Sequence, residues 1–140
     1  MKRVVLDTNV LVSGTFWTGQ SFAILELADK EKIRIVTTLP IIREYQDVIG
    51  RAEILEKTTE SQRKNARDTV RKLLTKAEVV EPRQEIHAVK DDPDDNKIIE
   101  AAVAGNAGYI ITQDKHLLSL KNYAGIRIMT PEDFLKPCNE

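Results

Sequence analysis

Length, composition and charge narrow the class of this protein. The chain has 140 residues, with 21 Lys and Arg against 22 Asp and Glu, which is enough for one ordinary domain over 1–140. A lone cysteine, Cys138, excludes an intrachain disulfide and a cysteine zinc site, and leaves an incidental surface thiol as the expectation. The apolar run after Met1-Lys2-Arg3 stops at Asp7, too short for a signal peptide or a membrane span, so we expect a cytoplasmic protein without a membrane partner.

The first half of the chain alternates short apolar runs with amphipathic segments. Residues 4–6 form an apolar run that predicts a buried strand, and the β-branched run Ile33–Thr37 predicts a second strand. Residues 21–29 predict a helix, with Ser21 as its cap. A helix that begins near Pro40 and ends before Gly50 has one apolar face.

The second half continues this alternation of helices and strands. In chain order, we predict a helix over 61–76, an edge strand over 78–80, an acidic loop over 91–95, a helix over 96–104, strands over 109–112 and 126–129, and a short helix capped by Thr130. Alternating strands and helices indicate a mostly parallel sheet with helices on both faces. The fold class is therefore α/β, with three layers in the order α/β/α.

Acidic residues occur where this fold would bring them together. Asp7 follows the first strand and Asp114 follows the strand over 109–112, so both should lie at the rim formed by the strands' carboxyl ends. Asp95 stands at the start of the helix leading into that strand, and Glu44 lies at the edge of its helix's apolar face. Each has an ordinary alternative, as a turn residue, a helix cap or an exposed glutamate. Placed jointly at one rim, they favour a site for a hard divalent cation.

Histidine and basic residues contribute less to this interpretation. His87 and His116 show no zinc-motif spacing, and both are expected at the surface. Residues 51–76 contain eight basic residues against four acids, whereas acids dominate 78–100. This separation is compatible with an acidic metal site beside a basic substrate surface, although charge alone favours a solvated basic helix and an acidic loop. The candidate RNA contacts are Arg43, Arg51, Arg63, Lys64 and Arg67.

Four segments together resemble a known family. They are Val-Val-Leu-Asp-Thr-Asn over 4–9, the helical segment over 39–49, Asp-Pro-Asp-Asp-Asn over 92–96 with the helix that follows, and the strand over 109–112 closing in Thr-Gln-Asp at 112–114. Their order and spacing resemble PIN domains, and most closely the bacterial and archaeal VapC-type toxins. Each motif is weak alone, but the ordered set of four is specific.

The resemblance implies a metal-dependent endoribonuclease that uses Mg²⁺ or Mn²⁺ to cleave single-stranded or loop RNA. It also implies a homodimer and a cognate antitoxin protein as partner. The acids carried over as catalytic are Asp7, Glu44, Asp95 and Asp114, with Asp7, Asp95 and Asp114 as metal ligands. The residues carried over as supporting are Asn9, Thr112, Asn96 as a neutral ligand or orienting group, and Asp92 as a weaker acid candidate. The third acid of many such toxins would fall on Asn96, so Asp95 beside it is assigned that place.

Other classes fit less well. A receiver domain would place a lysine after the last strand, and a haloacid-dehalogenase-like phosphatase would have Asp-x-Asp where 7–9 reads Asp-Thr-Asn. A dinucleotide-binding fold would need a glycine-rich loop there. A catalytically silent PIN-like module that binds RNA or a protein stays open as the alternative. Phe16 and Trp17 suit either an exposed partner surface or core aromatics.

Overall fold

A six-stranded sheet forms the centre of the computed structural model, which describes residues 1–16 and 19–137. The strands are β1 (Lys2–Leu6), β2 (Ile33–Thr37), β3 (Glu78–Val79), β4 (Tyr109–Ile111), β5 (Asn122–Tyr123) and β6 (Ile126–Met129). The helices are α1 (Thr8–Phe16), α2 (Gln20–Asp29), α3 (Leu39–Ile49), α4 (Ala52–Lys57), α5 (Glu60–Lys76), α6 (Asn96–Ala104), α7 (Lys115–Leu118) and α8 (Pro131–Leu135). A 3-10 turn, Pro93–Asp95, precedes α6.

The strand order β3-β2-β1-β4-β6-β5 places β1 and β4 side by side at the centre of the sheet. All neighbouring pairs are parallel except β5 with β6, which are antiparallel. Val4, Val5 and Leu6 are all buried, as expected for a central strand covered on both faces. The predicted three-layer α/β fold with a mostly parallel sheet is confirmed, and β3 lies at the sheet edge as predicted.

Helix α1 begins directly after β1 and was not predicted. Its sequence, Thr-Asn-Val-Leu-Val-Ser-Gly-Thr-Phe, is rich in β-branched residues and buried on several sides, so it lacks a one-sided apolar stripe. The helix packs closely on α2, because a Cβ on Gly14 would lie 2.7 Å from Leu25 Cδ1 and 2.9 Å from the Ser21 carbonyl oxygen. Ser21 is therefore a buried helix residue, and the prediction that it caps α2 was wrong, since that helix begins at Gln20 after Gly19.

The other unpredicted elements are short: α4, α7 and β5 have six, four and two residues. A segment of one or two turns has too few positions to show a hydrophobic period. Phe16 is buried, in keeping with a core aromatic, whereas Trp17 and Cys138 lie outside the described residues. Among the residues that are described, no helix is both long and apolar enough to cross a bilayer.

Candidate active site

Two aspartates lie at the carboxyl ends of the central strands. β1 and β4 are paired in parallel, with Leu6 opposite Ile111, and the Asp7 backbone N–H donates to the Ile111 carbonyl oxygen at 3.0 Å. Asp7 is followed at once by α1, whose first turn bonds back to the Asp7 carbonyl oxygen. Asp114 follows β4 and caps α7, accepting hydrogen bonds at Oδ1 from the backbone N–H groups of His116 and Leu117. The two acids therefore lie at the same edge of the sheet, Asp7 one residue after β1 and Asp114 three residues after β4.

Thr112 connects these two acids. Its hydroxyl donates to Asp7 Oδ2 at 2.7 Å and accepts from the Asp114 backbone N–H at 2.9 Å. The Thr112 side chain has no solvent exposure, and its own backbone N–H is held by the Met129 carbonyl oxygen at 2.9 Å. This arrangement fixes the Asp7 carboxylate relative to the end of β4.

Asp95 completes the group from the turn before α6. One of its carboxylate oxygens, Oδ2, is shielded from solvent and has no hydrogen-bond partner among the described residues. Burial, the hydrogen bond with Asp114 and the charges of Asp114, Asp92 and Asp7 together raise the pKa of Asp95 to about 8, with burial the largest cause. Such a carboxyl group needs a proton or a cation close to it.

The pKa of Asp7 is also raised. Burial raises its pKa above the ordinary aspartate value, while the hydrogen bond from Thr112 and the backbone of Thr8 oppose that rise. The charges of Asp114 and Glu44 raise the pKa again. Asp7 is therefore close enough to Glu44, Asp95 and Asp114 for its negative charge to be repelled by theirs.

Glu44 reaches the site from α3. It is half-buried at the edge of the buried face formed by Ile41, Ile42 and Tyr45. Its Oε2 accepts a hydrogen bond from Thr8 Oγ1 at 2.9 Å and lies 2.5 Å from Lys97 Nζ. Burial by itself would lower the pKa of Lys97, but its hydrogen bonds with Glu44 and Asp94 outweigh burial and raise it.

Asp92 and His116 stand on the outer side of the group. Asp92, Asp95, Asp114 and His116 each offer a ligand atom, and these four atoms all lie within 4.8 Å of one another. His116 Nδ1 is 3.9 Å from Asp92 Oδ2 and 3.8 Å from Asp114 Oδ1. His87 and His116 are both exposed, as predicted, but the place of His116 beside the acids was not predicted. Its position two residues after Asp114 was the signal that could have found it.

Two of the supporting residues, Asn9 and Asn96, have opposite surroundings. Asn9 is exposed, and its side chain makes no hydrogen bond within residues 1–16 and 19–137. Asn96 is buried, and its amide accepts from the Val89 N–H at 2.8 Å and donates to the Val89 carbonyl oxygen at 3.2 Å. Asn96 thus fixes the loop that leads to Asp95, because both ends of its amide are engaged with that loop.

The candidate RNA contacts fall into two groups. Arg43, Arg51, Lys64 and Arg67 are exposed and available to a large anionic ligand. Arg63 is half-buried, and its Nη1 donates to the carbonyl oxygens of Leu55 and Thr58 at 2.9 and 2.6 Å. Arg63 therefore stabilises the junction between α4 and α5.

The donor set fits a hard divalent cation. Mg²⁺ and Mn²⁺ prefer oxygen ligands, and carboxylates neutralise their charge. The buried oxygen of Asp95 that lacks a partner is the kind of atom that a cation would satisfy. The raised pKa values of Asp7 and Asp95 reflect their burial first and the neighbouring acids second.

Comparison with known proteins places this architecture in a family. The PIN domain profile matches residues 3–116, a span that includes all four acids. The chain belongs to the PIN domain family. No curated protein sequence matches it. Among solved structures, the fold is similar to a chain in the crystal structure of VapBC2 from Rickettsia felis bound to a DNA fragment from their promoter, with a TM-score of 0.56, 17% identity, and coverage of 90% of this chain and 96% of that one.

Proposed function

We propose that this protein is a divalent-metal-dependent endoribonuclease that cleaves single-stranded or loop RNA. The observation that carries the proposal is the solvent-shielded Asp95 Oδ2, which lacks a hydrogen-bond partner among the described residues and lies within a group of acids. Family membership adds support, because PIN domains are generally nucleases.

Asp7, Asp95 and Asp114 would hold the Mg²⁺ or Mn²⁺ ion, and Asp92 and His116 are further candidates on the outer side. When bound, such an ion polarises a phosphodiester and lowers the pKa of a water molecule. Thr112 orients Asp7 through its hydroxyl, and Asp114 is held by the first turn of α7. Glu44 would act as a further ligand or would orient the attacking water. Hydrolysis would leave a 5′-phosphate and a 3′-hydroxyl.

The substrate surface would include the exposed basic residues of 43–67. Contacts with phosphates provide affinity without sequence preference, so RNA choice would depend on which strands can reach the acidic cleft. Single-stranded and loop RNA can splay its backbone and bases into such a cleft more easily than a duplex can.

We further propose that the protein acts in the cytoplasm as the toxin of a toxin–antitoxin pair, as a homodimer that a cognate antitoxin inhibits. The resemblance of its four motifs to VapC-type toxins and the fold similarity to a chain of the VapBC2 structure support this role. A small DNA-binding protein encoded next to this gene would be the partner to co-purify.

The test is cleavage of a panel of RNAs with Mg²⁺ or Mn²⁺, followed by addition of a chelator. We expect the parent protein to cleave and Asp7→Asn to lose at least about 100-fold in rate, equal to roughly 3 kcal/mol of transition-state stabilisation. Asp47→Asn is the matched control, because Asp47 is exposed on the solvent side of α3 and the rate should not change.

Equal rates for Asp7→Asn and the parent would contradict the site assignment. Absence of cleavage, together with calorimetry that detects no carboxylate-dependent binding of a divalent ion, would instead favour the catalytically silent RNA- or protein-binding module.

A further inference from the structure

Lys97 forms an ion-pair bridge next to the acidic site. It lies in the first turn of α6, and its side chain is 20% exposed. Its Nζ lies 2.5 Å from Glu44 Oε2 and 2.9 Å from Asp94 Oδ2. The bridge therefore joins α3, the turn before α6 and α6 itself.

The same oxygen of Glu44 carries a second contact. Thr8 Oγ1 donates to Glu44 Oε2 at 2.9 Å, so one carboxylate oxygen receives both an ammonium and a hydroxyl. Glu44 Oε1 receives no hydrogen bond from the described part of the chain. Two contacts on one oxygen fix the rotation of the carboxylate and leave the other oxygen available.

Within the described part of the chain, Lys97 gives Glu44 a lysine partner that the other acids of the site lack. Over residues 1–16 and 19–137, no lysine or arginine other than Lys97 lies within ion-pair distance of Asp7, Glu44, Asp95 or Asp114. Glu44 is thus the acid whose charge a lysine already compensates, whereas among the described residues no lysine or arginine pairs with the three aspartates.

We propose that Lys97 is a positioning residue: it neutralises Glu44 and holds its Oε2, so that Oε1 alone is presented to the reaction. This inference rests on the proposed nuclease function, since it assigns a role within the same site. Two of the three ammonium protons of Lys97 are already engaged by Glu44 and Asp94, which favours a positioning role over direct phosphate binding.

The experiment compares Lys97→Met, which keeps the aliphatic stem and removes the charge, with Lys97→Arg, which keeps the charge. Because residues that orient a site group typically change activity 10–100-fold, we expect Lys97→Met to lower kcat about tenfold with KM for RNA unchanged. Lys97→Arg should recover most of kcat. In a Glu44→Gln background, Lys97→Met should cause no further loss, because the residue through which it acts is already altered.

A measurement that does not need RNA tests the same contact. The carbon NMR resonance of the Glu44 side-chain carboxyl, recorded without metal, should shift in Lys97→Met and return towards the parent value in Lys97→Arg. If the parent protein cleaves no RNA, the nuclease proposal fails, while this resonance still shows whether Lys97 holds Glu44.

Lys115→Met is the matched control, because Lys115 is an exposed lysine next to Asp114 that forms no ion pair with the described residues. It makes the same charge change and should alter neither kcat nor the Glu44 resonance. Three outcomes would overturn the proposal: an unshifted Glu44 resonance in Lys97→Met, a loss in kcat no larger than that of Lys115→Met, or a rise in KM that persists in the Glu44→Gln background, which would indicate direct phosphate binding.

Discussion

Charged side chains at the two ends of the central strands have opposite surroundings: they are paired with opposite charges at the amino end and lie among like charges at the carboxyl end. Near the amino end of β1, the Arg3 guanidinium is paired with Glu78 and donates to the Gly105 carbonyl oxygen from Nε at 3.0 Å and from Nη2 at 2.7 Å. The hydrogen bond from Arg3 lowers the pKa of Glu78. At the carboxyl end, burial raises the pKa of Asp7 and Asp95, and neither has a basic partner among the described residues.

This difference separates a structural use of charge from a functional one. Opposite charges with satisfied donors tie three segments of the chain together at the amino end, which stabilises the fold. Like charges held near one another destabilise the protein unless a cation is bound, and sites with such perturbed groups are candidates for function. The comparison predicts that removing charge has opposite effects at the two ends.

The largest effect is expected at the carboxyl end, with Asp95→Asn. This variant should lose at least about 100-fold in RNA cleavage, because a proposed ligand of the ion is removed. Without divalent ions its melting temperature should rise by a few degrees above that of the parent, since the amide removes the cost of burying a carboxylate and the repulsion from Asp114 and Asp92. Calorimetric melting curves with a chelator present measure the second effect.

Adding Mn²⁺ provides the control for Asp95→Asn. The ion should raise the melting temperature of the parent through binding to the folded state and should leave that of the variant nearly unchanged. A variant that melts below the parent in the chelator, or that gains as much as the parent from Mn²⁺, would contradict the assignment of Asp95 as a strained ligand.

At the amino end, Arg3→Met should have the reverse effect. Losing the charged hydrogen bonds to the Gly105 carbonyl oxygen should lower the free energy of unfolding by about 1 kcal/mol, a moderate value because the side chain is one-third exposed. RNA cleavage per folded molecule should not change. Urea unfolding measures the loss, and Arg83→Met, which changes an exposed arginine between β3 and α6, is the control expected to stay close to the parent.

Much of the fold could be predicted from the sequence, because its strands are short apolar runs with β-branched residues. Ile33–Thr37 and Ile126–Met129 have the bounds that their sequences predict, and α6 begins and ends where the apolar pattern does. The rim acids could be anticipated for the same reason. Once the strands are parallel and adjacent, the residues that follow β1 and β4 must meet at one edge.

The remaining features depend on contacts between distant segments, which no local pattern encodes. The bridge from Lys97 to Glu44 joins residues on two helices, and it exists only because α3 and α6 lie next to one another. Asn96 stood in the sequence as a candidate neutral ligand or orienting group, and its hydrogen bonds with the backbone of Val89 could not be foreseen. Helix α1 was missed because burial on several sides removes the one-sided pattern by which helices are recognised.

The smallest predicted effect concerns His116, whose imidazole nitrogen lies beside the carboxylate oxygens at the carboxyl end of the central strands. Because imidazole suits Ni²⁺ and Mg²⁺ prefers oxygen, His116→Asn should weaken Ni²⁺ binding about threefold more than Mg²⁺ binding. Calorimetric titration of both ions checks this, and His87→Asn is the control, because His87 is exposed and pairs with Glu85 instead of the cluster acids. Equal losses of affinity for the two ions would contradict a role of His116 as a ligand. A loss of affinity confined to Ni²⁺ would indicate that the His116 nitrogen binds the ion. The two ends of the central strands would then differ in ligand chemistry as well as in charge.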